Sequence, residues 1–157
     1  MPIIIKLADP LKAATIIQLK KELETYTHQR LIELLLSTAK YKVENKELLS
    51  YLLFDSDNVE GYVADIKLEI EEAFDEINNA SFYVAVKRLR KVTKLIAKYV
   101  KYTGSKTVDA ALTAYFCQEM IERGYLRHNY KTVVNLYARQ VDRLSKCIPK
   151  VHEDLQH

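Results

Sequence analysis

Apolar side chains recur at every third or fourth position along most of the chain, which is the spacing of one face of an α-helix. Steps of four, three, four, four and three separate the members of the most regular run, which comprises Val59, Val63, Ile66, Ile70, Phe74 and Ile77. A comparable stripe follows, and it comprises Phe82, Val86, Leu89, Ile96 and Val100. Because amphipathic helices bury such stripes against one another, the pattern predicts an all-α protein.

Breaks in the apolar pattern divide the chain into about seven predicted helices. Four helix starts are marked by side chains that can cap a helix N-terminus, namely Asp9, Thr27, Ser81 and either Ser105 or Thr107. Three helix ends are marked by residues that interrupt a helix, namely Gly104, Gly124 and Pro149. The first predicted helix covers 10–24 and begins with Pro10. The third begins near Asn45, and its apolar edge comprises Leu48, Leu49, Leu52 and Leu53.

Short connections between these helices place sequence neighbours antiparallel. The chain is therefore predicted to form helical hairpins, either in an irregular helical bundle or in a short α-α superhelix like a HEAT or armadillo stack. No residue pattern recurs at a fixed period, as a regular repeat array requires. No linker divides the sequence, so we expect residues 1–157 to form one domain, with loosely ordered segments at 1–9 and 150–157.

The composition agrees with a helical fold. The chain has only 3 Gly and 3 Pro among 157 residues, whereas a β-rich fold of this size needs many turns and therefore many such residues. A chain of this length can bury a core without disulfides or metals. Cys117 follows Phe116 on an apolar face, so we expect it to be a small buried hydrophobe rather than a reactive thiol.

The sequence contains no candidate for a membrane segment. No stretch approaches the roughly 20 apolar residues that a membrane span needs. The run Ile3–Ile5 is too short for the apolar core of a signal peptide. These observations predict a cytoplasmic protein without a membrane partner.

Charge is distributed unevenly along the chain. Residues 1–80 hold 9 Lys and Arg against 15 Asp and Glu, whereas residues 81–157 hold 15 against 6, so the halves carry −6 and +9. Four carboxylates share one side of the fourth predicted helix, and this acidic strip comprises Asp65, Glu69, Glu72 and Glu76. Five lysines and two neighbouring arginines of the fifth helix form the basic strip, which comprises Lys87, Arg88, Arg90, Lys91, Lys94, Lys98 and Lys101.

The basic strip has two interpretations. A run of charge is commonly a solvated helix face, where an exposed ion pair contributes only about 0–1 kcal/mol. The functional interpretation is a surface that binds phosphates or an acidic partner. The functional interpretation is favoured because the segment from Lys87 to Lys106 holds eight cations and no anion. Like charges at i, i+4 slightly destabilise a helix, so we expect something to offset their repulsion.

The leading functional hypothesis is a non-enzymatic interaction or scaffold module, whose acidic and basic faces bind a protein partner or a second copy of the chain. The alternative is sequence-independent nucleic-acid binding through the basic helix 87–101. Only Tyr83 and Tyr102 lie near the basic side of that helix, at its two ends, which makes a poor platform for stacking bases. Other tyrosines continue apolar stripes and are predicted to be core residues, namely Tyr26, Tyr115, Tyr130 and Tyr137.

No sequence motif indicates catalysis, a metal or a cofactor. A di-metal helical bundle needs Glu-x-x-His on two helices, and the nearest feature is Glu24 four residues before His28. With three scattered glycines, the chain cannot form the glycine-rich phosphate loops. The turn at Gly124 is compatible with a helix-turn-helix, but the last helix has the apolar face of a core helix. We therefore expect no cofactor, and an enzyme is the least favoured of the three functional classes.

Overall fold

The computed structural model of the chain describes residues 12–77 and 80–154, with side chains up to residue 151. Within these ranges there is no β-strand, and the all-α prediction is confirmed. The seven α-helices are α1 (Ile16–Leu23), α2 (His28–Tyr41), α3 (Val43–Ser50), α4 (Val59–Asp75), α5 (Phe82–Thr103), α6 (Lys106–Glu122) and α7 (Lys131–Asp154). A single π-helix, Tyr51–Asp55, lies between α3 and α4 in the sequence.

Contacts divide the chain into a first unit, which ends at Leu49, and a second unit, which begins at Ser50. The two units are described separately below. The expectation of a single domain over 1–157 stays a prediction.

The helices of the first unit begin at side-chain caps. Thr15 forms a capping box with Gln18, so α1 starts later than the predicted helix 10–24. The predicted cap and first residue, Asp9 and Pro10, lie outside the described residues. Thr27 caps α2 as predicted, and its Oγ1 accepts from the Arg30 N–H at 3.3 Å. The third helix begins at Val43, slightly before the predicted start.

No residue of α1, α2 or α3 is buried. The predicted apolar stripes are present, but their side chains stay in contact with solvent: Ile16 is 79% exposed and Leu35 is 53% exposed. Tyr26, predicted as a core residue, is also exposed. Among the described residues of the first unit, the amphipathic helices α1 and α2 therefore bury none of their side chains.

The second unit begins with the π-helix, which corrects the predicted apolar edge of the third helix. Leu52 and Leu53 were expected to face inward, yet both are exposed. A π-helix closes its hydrogen bonds five residues apart rather than four, so the apolar positions no longer follow the 3.6-residue spacing. Only Tyr51 of this segment is buried, and its ring lies 4.7 Å from the ring of Tyr62 on α4.

Helices α4 and α5 form an antiparallel hairpin. The carbonyl oxygen of Glu76, just after α4, accepts a hydrogen bond from Arg88 near the start of α5. In the other half of the hairpin, Tyr62 of α4 lies edge-on to Tyr99 of α5, with ring centroids 5.9 Å apart. Ser81 precedes α5 at the predicted position but makes no side-chain cap, whereas Gly104 ends the helix as predicted with φ +63.

Helices α6 and α7 form a second antiparallel hairpin. Asp109, in the first turn of α6, binds the Arg143 guanidinium in the second half of α7, with a distance of 2.7 Å between Arg143 Nε and Asp109 Oδ1. Val133 and Cys147, far apart on α7, are both buried. This long contact makes α7 a core helix, in agreement with the weak case for a helix-turn-helix.

The four helices of the second unit form two overlapping triangles. Helix α4 packs against α5 and α6, while α7 packs against α6 and more lightly against α5. Within the described residues, α4 and α7 make no comparable contact. The shared pair, α5 and α6, therefore lies at the centre of the unit.

Most of the predicted stripe residues of α4 to α6 form the core. Six are fully buried, namely Ile70, Phe74, Leu89, Leu112, Phe116 and Met120. Ile77 is also buried, although it lies two residues beyond α4. Cys117 is buried as predicted. These residues form one continuous cluster.

Several predicted core positions are wrong, most of them near the ends of helices. Phe82 is 45% exposed and Tyr130 is 49% exposed, because both lie at helix starts where fewer helices can cover them. Val141 and Ile148 on α7 are exposed as well.

The last helix does not end at Pro149, since α7 continues to Asp154. Proline removes one helical N–H donor, which here does not end the helix.

Candidate binding surfaces

Most of the basic strip lies on the exposed side of α5. Five of its seven cations are exposed, namely Lys87, Arg90, Lys91, Lys94 and Lys101. Within the described residues, none of these five takes part in a salt bridge or a side-chain hydrogen bond. Their charges are therefore available to a ligand.

The other two cations of the strip are half-buried and contact neighbouring groups. Arg88 donates from Nη1 to the carbonyl oxygen of Glu76, so it places a positive charge at the C-terminal end of α4, where the helix dipole favours a cation. The Lys98 ammonium lies 4.6 Å from the centroid of the Tyr99 ring. These two residues contribute to packing in addition to charge.

The acidic strip is exposed at Asp65, Glu72 and Glu76 and half-buried at Glu69. The Tyr99 hydroxyl donates a hydrogen bond of 2.6 Å to Glu69 Oε2, which links the strip to α5. No salt bridge in the described part of the chain joins the acidic strip to the five exposed cations. The acidic strip therefore leaves these five cations without a direct partner in the described part of the chain.

A cationic cleft lies between the first half of α5 and the first half of α7. It consists of two adjoining hollows of about 390 Å³ and about 220 Å³, which share Arg90 and Thr132. Lys87 lines the larger hollow, while Lys131 and Arg139 line the smaller one. No acidic side chain of the described residues lines either hollow. Four cations from two helices therefore surround one depression, which we call the α5–α7 cleft.

Aromatic side chains lie at the end of the cleft where α5 begins. Phe82 and Tyr83 line the larger hollow, and the Tyr130 ring packs on Phe82 with centroids 4.3 Å apart. His128 lies 5.9 Å from Tyr130. Of the two tyrosines that the sequence placed near the basic side of α5, Tyr83 lies at this end and Tyr102 at the other. Phe82 and Tyr130 were missed because both were assigned to the core.

The connection between α6 and α7 determines where this aromatic cluster lies. Gly124 has φ +76 and Asn129 has φ +50, a left-handed conformation in which asparagine is enriched among non-glycine residues. Asn129 turns the chain immediately before Tyr130 and the first turn of α7. On α7, Thr132, Asn135 and Arg139 follow at steps of three and four, so they share the face that lines the cleft. The sequence alone therefore indicates that these three side chains share one face of the last helix.

A second candidate surface is apolar and belongs to the first unit. It consists of six side chains, which we call the N-terminal apolar side chains, namely Ile16, Leu19, Leu23, Ile32, Leu35 and Leu36. All six are exposed, from 38% at Ile32 to 79% at Ile16. Single exposed apolar residues are ordinary, whereas a concentration of them marks an interaction surface.

The buried polar groups of the second unit are paired and give no sign of a catalytic site. Asp109 accepts from Arg143 at 2.7 Å and from the Thr113 hydroxyl at 3.2 Å. Glu119 binds Arg123, which also binds Asp75. No buried side-chain nitrogen or oxygen of the described residues lacks a hydrogen-bond partner. These groups fasten helices together.

The two thiols lie in surroundings that keep them neutral. Burial raises the pKa of Cys117. Burial also raises the pKa of Cys147, and a hydrogen bond to Asp109 raises it further. Since the thiolate is the reactive form, neither cysteine has the environment of a nucleophile.

Within the described residues there is no group of three or more His, Cys, Asp and Glu side chains that could hold a metal ion. No helix among those residues is both long enough and apolar enough to cross a membrane.

No protein-family model matches the chain, and no curated protein or solved structure is significantly similar to it.

Proposed function

We propose that this chain is a non-enzymatic interaction module that pairs with a second copy of itself through the N-terminal apolar side chains. The observation that carries the proposal is that α1 and α2 are amphipathic, yet none of their residues is buried. A helix of 8 to 14 residues without tertiary packing is marginal in water. Burial of the apolar faces in an interface supplies what these helices lack.

A second copy is favoured as the partner by the charge of the first unit. Residues 1–49 hold 8 Lys and Arg against 6 Asp and Glu, so two copies can approach without strong net repulsion. Opposite charges on the polar sides already pair within each helix, as in Lys20–Glu24 and Arg30–Glu33. Identical apolar faces related by a two-fold axis form a self-complementary interface, the commonest symmetry of soluble oligomers.

Burial of these side chains in an interface contributes a free energy comparable with the cost of association. Full burial of a Leu or Ile side chain contributes about 1.5–3 kcal/mol. Six half-exposed side chains in each of two copies can therefore contribute on the order of 10 kcal/mol. Association costs about 4–15 kcal/mol, so burial of these side chains offsets a cost of the same order.

Sedimentation velocity over a range of protein concentrations tests the proposal. The unmodified chain should form a dimer, and Leu35→Glu combined with Leu36→Glu should leave it monomeric. Leu68→Glu combined with Ile121→Glu is the matched control, because these side chains of α4 and α6 are 58% and 55% exposed. The control should still dimerise. A chain that stays monomeric at every concentration would falsify the proposal, and so would equal dissociation in both double variants.

Salt separates this interface from the charge-driven pairing that the acidic and basic strips predict. Pairing between exposed charges weakens as ionic strength rises, whereas burial of apolar surface persists or strengthens. We expect the dimer to survive high salt. We continue to expect a cytoplasmic protein, and in that compartment the two cysteines stay reduced.

Sequence-independent nucleic-acid binding is the second candidate function. It is supported by the five exposed cations of the basic strip, which have no acidic partner within the described residues. Phosphate binding of this kind loses affinity steeply as salt concentration increases. An electrophoretic shift of short single-stranded and duplex probes at low salt tests it, and no shift with either probe would exclude it.

A further inference from the structure

The α5–α7 cleft concentrates positive charge in a way that the basic strip alone does not. Lys87 and Arg90 from α5 and Lys131 and Arg139 from α7 line its two hollows, which adjoin at Arg90 and Thr132. None of the four forms a salt bridge within the described residues, and no carboxylate lines the cleft. A hollow lined by one sign of charge raises the local concentration of oppositely charged ligands.

The cleft also carries groups that recognise more than charge. The side chains of Thr132 and Asn135 are exposed and make no hydrogen bond in the described part of the chain, so both can donate to phosphate oxygens. Tyr83 is 77% exposed and lines the same hollow as Lys87 and Arg90. Tyr83, Lys87 and Arg90 follow one another at steps of four and three, so they share one face of α5.

The geometry points to a binding site for single-stranded nucleic acid in the α5–α7 cleft. The phosphate groups of the strand bind Lys87, Arg90, Lys131 and Arg139, and an unpaired base stacks on Tyr83. This inference rests on the second candidate function and names the place where that function is carried out. It does not depend on self-association through the first unit.

A single strand is favoured over a duplex by the aromatic side chains. Bases of a single strand are free to leave their stack and pack on aromatic rings, whereas the bases of a duplex are not. Phe82, against which Tyr130 packs, forms an apolar wall beside Tyr83. A surface that bound only the phosphates of a duplex would have no use for aromatic residues at the end of a cationic cleft.

The first experiment compares two pairs of exposed lysines. Fluorescence anisotropy measures binding of a labelled oligothymidylate of about twelve nucleotides across a salt series. Lys87→Gln with Lys131→Gln removes two charges from the cleft, and Lys94→Gln with Lys101→Gln removes two charges from the part of the basic strip outside it. The cleft pair should reduce the salt slope by about 0.7 for each lost phosphate contact, and the control pair should change it little.

The second experiment tests the stacked base. Tyr83→Ala should weaken binding roughly 5- to 150-fold, because stacking of a base on an aromatic ring contributes about 1–3 kcal/mol. Tyr41→Ala is the matched control, since Tyr41 is 78% exposed on α2. It should leave binding unchanged. All of the altered side chains are exposed, so the variants should keep the circular dichroism spectrum of the parent chain.

The possible outcomes separate this inference from the function on which it rests. If the unmodified chain binds neither single-stranded nor duplex probes, both are excluded. If it binds but the two lysine pairs reduce the salt slope equally, the basic strip binds phosphate and the cleft is not the site. A duplex that binds as tightly as the oligothymidylate and is unaffected by Tyr83→Ala likewise overturns the inference.

Discussion

The first and second units contain helices of the same amphipathic kind, but only the second unit buries its apolar faces. On α2, Leu35 and Leu36 are about half exposed, whereas Leu89 and Ile96 on α5 are almost inaccessible to solvent. The difference lies in what packs against each helix. Helix α5 packs against α4, α6 and α7 of its own unit, whereas no two helices in the described part of the first unit make a comparable contact. Amphipathic spacing therefore predicts a helix without predicting what covers it.

The largest expected contrast between the units concerns truncation of an apolar side chain. Phe74→Ala should lower the free energy of unfolding by about 3–5 kcal/mol, since Phe74 is fully buried and its ring contacts Phe116 and Tyr125. Leu35→Ala should change the unfolding of the monomer by no more than about 0.5 kcal/mol. Urea denaturation of both variants at low protein concentration measures the difference. Equal losses would mean that the first unit has a core of its own.

A smaller effect is expected from the ion pair between α6 and α7. Arg143→Leu should destabilise the chain by about 2–4 kcal/mol, because it leaves the buried Asp109 carboxylate without its guanidinium, while the partial exposure of Arg143 limits the loss. Addition of Asp109→Asn should recover part of it, since a neutral amide can still accept from Thr113.

The surface pair Lys146–Asp142 provides the control for this effect. It has a comparable distance of 2.7 Å, but both side chains are mostly exposed. Lys146→Leu should therefore cost at most about 1 kcal/mol. If Arg143→Leu proves equally mild, Asp109 is not effectively buried.

The smallest expected effect concerns the two thiols and the pH. The pKa of each cysteine is raised in the folded chain, chiefly by burial. Above about pH 8.5 the thiols of the unfolded chain ionise while those of the folded chain stay neutral. The free energy of unfolding should thus be unaffected at lower pH and should fall as the pH rises, by at most about 1.4 kcal/mol per pH unit for each thiol.

Urea titrations between about pH 7 and pH 9.5 measure this dependence, and Cys117→Ala with Cys147→Ala should flatten it. The native thiols should also react with a disulfide reagent far more slowly than those of the urea-unfolded chain. Rapid native labelling would contradict the packing of α6 and α7.

Most of the fold could be predicted from the sequence, because helix starts and apolar stripes depend on residues that are close together in the chain. Thr27, Ser105 and Gly104 mark the helix boundaries where the structure has them. The π-helix at Tyr51–Asp55 was not predictable from periodicity, since the sequence continues to show helical spacing there. Pro149 was misassigned as a helix end because proline lowers helix stability without forbidding the helix.

The candidate sites were only half predictable. The basic strip follows from the spacing of lysines on one helix. The α5–α7 cleft depends on which helix lies beside α5, and no local pattern contains that information. The assignment of Phe82 and Tyr130 to the core concealed the aromatic end of the cleft, because a helix-end residue can follow an apolar stripe and still lack a neighbour to cover it.

The ion pair between Asp109 and Arg143 also restricts how α6 and α7 can slide along one another. Displacement of α7 by one helical turn would move the guanidinium about 5.4 Å and leave the buried Asp109 carboxylate without it. Two smooth apolar faces would tolerate several such alignments with similar packing. The single charged contact therefore gives this hairpin one preferred register.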